Sequence, residues 1–332
     1  MNKIWNYLRE FESKELIKEY ILKKYDYKIN SGKAYEICAA FKQGRSYFRS
    51  ALNADISVKP LLQYYGIVSL SRALILILNK ESRENNIKPS HGLKIKNWSE
   101  ISKSGKFENI ILKPNFGTFT ELIKATNNKT YLRAASGGIN WHVEYVYLEE
   151  KLEFNLKELS YSFPDLKKSA EAWLGLEIPS VKLNTLKHIN KTERELVVEG
   201  KADYKVIFPD LIFKNLRIED NENGITSKIN YNFPPAPHLT QKWDGILGIG
   251  DPYLIPPFNN LLFLNDISKM YAASFVFGTI SRYYPSTWND INSGLKNDRI
   301  LPFAINLLDF IQIKYPQIIT DFLNSPYKFE EE

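Results

Sequence analysis

Cysteine is almost missing from this chain. Its 332 residues hold one, Cys38, so neither an internal disulfide nor a cysteine-built zinc cluster can form. Histidine is scarce too, with four copies. His91, His142, His188 and His238 show no HExxH or paired spacing, so no metal is implied. A Gly-x-Ser-x-Gly elbow is absent. The glycines of Gly245-Ile246-Leu247-Gly248-Ile249-Gly250-Asp251 lack the lysine and Ser/Thr of a phosphate loop and run into Pro252 instead of a helix. The first acids follow Met1 too closely for a secretory signal. One long apolar run exists, residues 61–78, and Arg72 near its middle would cost about 3 kcal/mol in a bilayer. The expectation is a buried core helix and no membrane. These absences fit a reducing cytoplasm, and they leave the chain without a cofactor or a legible reaction.

What is present is an ordinary folded composition, 44% apolar and 25% charged, with 20 Tyr and 19 Phe to fill a core. Disorder and low-complexity classes are excluded, and the length suits two or three compact units. The net charge of +6 is unevenly spread. Residues 1–106 carry 20 Lys and Arg against 10 Asp and Glu, an excess of +10, which leaves −4 for the other 226 residues. A polyanionic partner such as RNA would therefore meet residues 1–106; otherwise those lysines are a solvated surface. A homo-oligomer is also compatible with the composition.

The periodicities predict an α+β fold in three regions: helical 1–106, β-rich and mostly antiparallel 107–263 with a short helical insert, and helical 264–332, with the two helical ends packed together. Ser31 would cap a helix through Leu52, and Ser57 with Pro60 would open another that ends near Asn79. Residues 81–106 have the composition of a linker or lid. Strands are expected at 110–112, 116–122, 131–132, 141–148, 178–186, 195–198, 204–208 and 225–233, and helices at 156–160 and 164–173. Asn265 or Asp266 would cap a helix through Tyr283 that is buried on most sides and ended by Pro285. Two last helices would span 302–313 and 316–323.

Three constellations carry chemistry. Tyr65, Ser69, Arg72 and Asn79 share one face of the apolar helix. A buried guanidinium there needs either an acid elsewhere in the fold or an anionic ligand. His91, in Pro89-Ser90-His91-Gly92, is either a turn residue or a general base or phosphate ligand. In Ser281-Arg282-Tyr283-Tyr284-Pro285-Ser286-Thr287-Trp288, Arg282 caps a helix end while Tyr283, Tyr284 and Trp288 offer stacking faces, for the core or for a ligand. Cys38 reads as core. Glu199, Lys201 and Asp203 read as solvated edge positions.

These residues resemble those of the YaaC-like proteins of bacteria. The resemblance rests on Trp5, on Leu61-Leu62-Gln63-Tyr64-Tyr65-Gly66 leading to Ser71-Arg72-Ala73-Leu74, on Ser90-His91-Gly92, and on Ser281-Arg282-Tyr283-Tyr284-Pro285 with Trp288. It covers nearly the whole chain and implies no reaction. The N-terminal third also resembles HEPN helical domains, which bind or cleave RNA in bacterial defence or toxin-type systems. Those place a histidine a few residues beyond a helical arginine, whereas the run after Arg72 leads to Asn79 with no histidine. Two functions follow as expectations: an anion- or ligand-binding cleft around Arg72, His91 and Arg282, with Tyr65, Asn79, Tyr283 and Trp288 beside them, or a HEPN-like RNA-binding protein or ribonuclease.

Overall fold

Four helices open the chain: α1 (Asn2–Glu10), α2 (Lys14–Tyr25), α3 (Ser31–Leu52) and α4 (Lys59–Leu78). The computed structural model describes residues 2–133, 139–221, 224–234, 236–243 and 250–325. Asn30, not Ser31, caps α3; its backbone is extended and its side chain accepts from Lys33 N at 2.8 Å, as an N-cap requires. Pro60 sits in the first turn of α4, where its missing donor is harmless. α3 and α4 cross closely because each offers a glycine at the crossing. A Cβ on Gly44 would lie 2.7 Å from Leu70 Cδ2, and one on Gly66 would lie 2.6 Å from the Phe48 ring.

The middle of the chain contains β1 (His91–Ile95), α5 (Trp98–Ser104), β2 (Ile111–Gly117), α6 (Thr118–Ala125), β3 (Lys129–Arg133), β4 (Ile139–Glu144), β5 (Phe154–Asn155), α7 (Leu156–Ser160) and α8 (Lys167–Leu174). It continues through β6 (Val181–His188), β7 (Glu193–Glu199), α9 (Tyr204–Ile207), β8 (Arg217–Asp220), β9 (Thr226–Asn232), β10 (Leu239–Lys242) and β11 (Asp251–Leu254). All described pairings are antiparallel: a three-stranded sheet β1-β2-β5, a two-stranded β3-β4, and a six-stranded sheet in the order β10-β11-β6-β7-β9-β8. The chain ends in α10 (Asp266–Tyr283), α11 (Pro285–Asn292) and α12 (Leu301–Asn324).

Several local expectations are corrected. Residues 81–106 are not a linker: they supply β1 and α5, which bury Leu93 and Ile101. Residues 116–122 are not a strand. Gly117, at φ +147°, turns β2 into α6, whose Phe119, Leu122 and Ile123 are buried at helical spacing. Residues 204–208 form a single helical turn because the Asp203 side chain accepts from Lys205 N. The two expected terminal helices are one, α12, which runs through Pro316. Its buried stripe of Ile311, Tyr315, Ile318 and Ile319 continues across the proline and holds both halves on one core. Pro285 ends α10 as expected and also starts α11.

Two cores result. The larger joins both helical ends of the chain to the β1-β2-β5 sheet, and the smaller lies under the six-stranded sheet around Leu183, Leu196, Val198, Phe208, Phe213, Ile229 and Tyr231. α4 is the hub of the first. Gln63 Nε2 donates to Leu308 O (2.7 Å) and to Gln312 Oε1 (3.1 Å) of α12, and Ser71 Oγ meets Tyr315 OH at 2.6 Å. α10 approaches over Gly278, where a Cβ would be 2.8 Å from Tyr64 Cβ. Lys33 Nζ donates to Asn79 O at 2.8 Å and Lys80 O at 2.6 Å, closing the C-terminal end of α4. Burial pushes that ammonium down to about 8. Tyr20 OH donates to Leu323 O at 2.6 Å, and Lys24, over the Tyr20 and Tyr25 rings, donates to the carbonyls of Phe322 and Leu323. The end of α12 is thereby held by α2.

Candidate functional site

β1, α4 and α10 meet at His91. Gly92 follows it at φ +77° in a bulge of the β1-β2 pairing, and a Cβ there would lie 2.6 Å from Phe119 N. The bulge fixes His91 opposite Gly117, while Tyr271 OH donates to its carbonyl at 2.8 Å. The imidazole is half-buried between Tyr64 of α4 (ring centroids 5.2 Å) and Phe275 of α10 (6.0 Å). Burial, and then the nearby Arg282 guanidinium, hold its pKa below the usual histidine value, so His91 is neutral at pH 7. Burial likewise raises the Tyr64 hydroxyl well above the ordinary tyrosine value.

Arg282 lies at the exposed end of α10. Its Nη1 donates to Tyr65 OH of α4, and its guanidinium carbon stands 5.6 Å from the Tyr65 ring and 4.8 Å from the Tyr283 ring. Tyr65 in turn stacks on Tyr47 of α3 at 5.6 Å and 28°. Ser281 Oγ donates to Ser57 O at 2.7 Å and pins this end of α10 to the start of α4. Among the described residues no carboxylate pairs with Arg282. The structure thus brings together Tyr65, His91, Arg282 and Tyr283, with Tyr65 and Arg282 217 positions apart in sequence.

It does not bring in the others. Trp288 is 1% exposed, with Nε1 donating to Ile56 O at 3.0 Å, and it serves the core. Tyr284 stacks on Trp98 at 3.9 Å, which covers one face of its ring. Asn79 ends α4, and its Oδ1 accepts from Glu81 N and Ser82 N, an Asx turn away from His91. Arg72 lies two turns along α4 from Tyr65 and is partly exposed. The expected ion pair is not there: Arg72 donates to Glu84 O at 3.3 Å and faces no carboxylate among the described residues. Arg72→Ala is therefore expected to change unfolding free energy by only about 1 kcal/mol, measured by urea titration. A loss of several kcal/mol would show that Arg72 has a buried acid after all.

A second group of charges was not legible in sequence. Asp266, the first residue of α10, is buried with Lys269 one turn on, Nζ to Oδ1 2.6 Å, and accepts from Thr240 Oγ1 at 2.8 Å. Asp321 of α12, 1% exposed, pairs with Arg133 of β3. Burial pushes the Asp321 carboxyl up to about 6, against the pull of Arg133. Asp165 accepts from Trp243 N at 2.9 Å, and burial pushes it up to about 6 as well. The sequence signal was weak, because an acid at a helix start with a lysine three residues later reads as a solvated pair. Cys38 is buried and burial raises its thiol, as a core residue's should be. Residues 245–249 of the glycine run lie outside the described residues, while Asp251 at its end pairs with Lys182 at 3.2 Å.

Fold and site together define an α+β protein whose two helical ends share one core and present a tyrosine–arginine–histidine seam where they join. The chain belongs to the YaaC-like protein family, whose model matches residues 9–323. No curated protein and no solved structure matches it.

Proposed function

We propose that this YaaC-like protein binds an anionic ligand at the seam between α4 and α10. One observation carries the reading: the Arg282 guanidinium is oriented by Tyr65 beside the neutral imidazole of His91, with no carboxylate among the described residues to neutralise it. An oriented cation with spare donors favours a phosphate or carboxylate group. Arg72, two turns along the same partly exposed stripe of α4, adds positive potential.

Calorimetric titration with inorganic phosphate at pH 7 tests this. Arg282→Ala is expected to weaken binding by about 10-fold or more, the worth of one charge-assisted hydrogen bond. A bound anion offsets the push of Arg282, so the His91 imidazole pKa followed by NMR should move up on binding. Absence of binding at millimolar phosphate, or an unchanged His91 titration, would overturn the proposal.

RNA binding through residues 1–106, the HEPN-like reading, is supported by the +10 excess. Several of those cations have other work: Lys24 and Lys33 close helix ends, and Arg45 and Arg83 pair with Glu12 and Glu36. The anion-binding seam is accordingly the preferred reading.

A further inference from the structure

The seam holds more than a cation. Arg282 sits between two tyrosine rings of opposite character. Tyr65 is packed against Tyr47 and fixed to the guanidinium, whereas Tyr283 is 55% exposed. A second ring with a cation over it lies next to the strand partner of His91. Phe116 is 64% exposed, carries Lys88 Nζ 5.5 Å over its ring, and directly precedes Gly117, the residue opposite His91 in the β1-β2 pairing. Two open rings, each with a cation over it, are thus tied to the half-buried His91, Tyr283 through Arg282 and Phe116 through the neighbouring Gly117.

Exposed tyrosine and phenylalanine faces stack with flat, polarisable rings such as nucleobases, and the adjoining cations attract negative charge. A ligand that satisfies both carries a planar heterocycle and an anionic group a few ångströms apart. Simple phosphate or a carboxylate uses only the cation; an apolar aromatic uses only the ring. Resting on the anion-binding reading above, we infer that the ligand of the seam is a nucleoside phosphate, its phosphate at Arg282 and His91 and its base stacked on Tyr283. The Phe116–Lys88 pair, beside the strand partner of His91, then offers a second stacking position. The same chemistry arises from a free mononucleotide or from a single strand, and the second position separates these sources.

The experiment uses the full chain and four probes: inorganic phosphate, adenosine, AMP and a four-residue oligoadenylate. AMP is expected to bind about 10-fold more tightly than phosphate, within the range for one stacked base, and adenosine more weakly than either. Tyr283→Ala should abolish the advantage of AMP over phosphate, bringing the two affinities together, while Arg282→Ala weakens both. Tyr283 and Phe116 are exposed, so thermal melts of their alanine variants serve to confirm that the fold is kept. If the oligoadenylate binds more tightly than AMP and Phe116→Ala removes the gain, the nucleotide is part of a strand. If the two bind equally, it is a free nucleotide. If AMP binds no better than phosphate, or Tyr283→Ala leaves their ratio unchanged, the nucleotide inference falls while the anion reading stands. If neither phosphate nor AMP binds, both fall.

Discussion

Gly278→Val is expected to destabilise the protein by about 3 kcal/mol or more, or to leave it insoluble. The first added atom is already too close: a Cβ at this position would stand 2.8 Å from Tyr64 Cβ and 3.0 Å from Tyr64 Cγ. Overpacking a core costs roughly 1–3 kcal/mol where neighbours can shift, and more where they cannot. Tyr64 cannot easily shift. Its ring is enclosed by His91, Tyr271 and Phe275, and its hydroxyl faces Tyr271 OH at 3.4 Å. The milder Gly278→Ala should fold with reduced stability and, by displacing Tyr64, disturb the His91 imidazole. Urea titration gives the first effect and the His91 NMR resonance the second. An alanine variant with wild-type stability would show that α10 can move away from α4 at little cost.

Asp321→Ala is the second large expected effect, on the order of 3 kcal/mol, because it removes the carboxylate facing Arg133 in a buried setting. The same region should also make stability depend on pH. The Asp165 and Asp321 carboxyls are both raised from 3.8 to about 6, burial being the first cause in each. A carboxyl raised in the folded state is more readily protonated there than in the unfolded chain. Its stabilising contribution is full below about pH 3.8 and is lost as pH rises through about 6. For Asp165 the difference is worth about 3 kcal/mol. Asp165→Asn keeps an oxygen that can accept from Trp243 N and removes the buried charge. It should be more stable than wild type at pH 8 and no more stable at pH 4, as read from urea midpoints. Equal gains at both pH values would mean that the carboxylate is not destabilised by burial.

Legibility varied with the kind of contact that decides each element. α10 could be read because Ile267, Met270, Tyr271, Phe275, Val276, Phe277 and Ile280 crowd its whole circumference and Asn265 caps it, with Oδ1 accepting from Ser268 N at 3.0 Å. β9 could be read because burial alternates along it, Ser227, Ile229 and Tyr231 facing inward. α6 could not. Phe116 and Phe119 resemble strand residues locally, and only the backbone at Gly117 separates the solvent-facing ring from the buried one. From sequence α12 divides at Pro316, which weakens helix locally, while the buried stripe that overrides it depends on α4 and α8, far away in sequence. The site followed the same rule. Arg282, Tyr283 and His91 stand out individually as residues with chemistry, whereas Trp288 is drawn into the core by a tertiary contact to Ile56 and Asn79 is spent on the local turn that ends α4. The buried carboxylates were missed because burial of an acid is a property of the fold and not of its neighbours in sequence.

The position of α4 also constrains the order in which this protein can be made. Tyr64 meets Tyr271 across 207 positions, and Ser71 meets Tyr315 across 244. At roughly 5–20 residues per second, a ribosome leaves α4 waiting about 10–50 s for these partners. During that interval the most apolar helix of the chain has α3 beside it but neither α10 nor α12. Slowing synthesis or release beyond that interval lengthens the exposure of the apolar α4 and should favour aggregation over the native state.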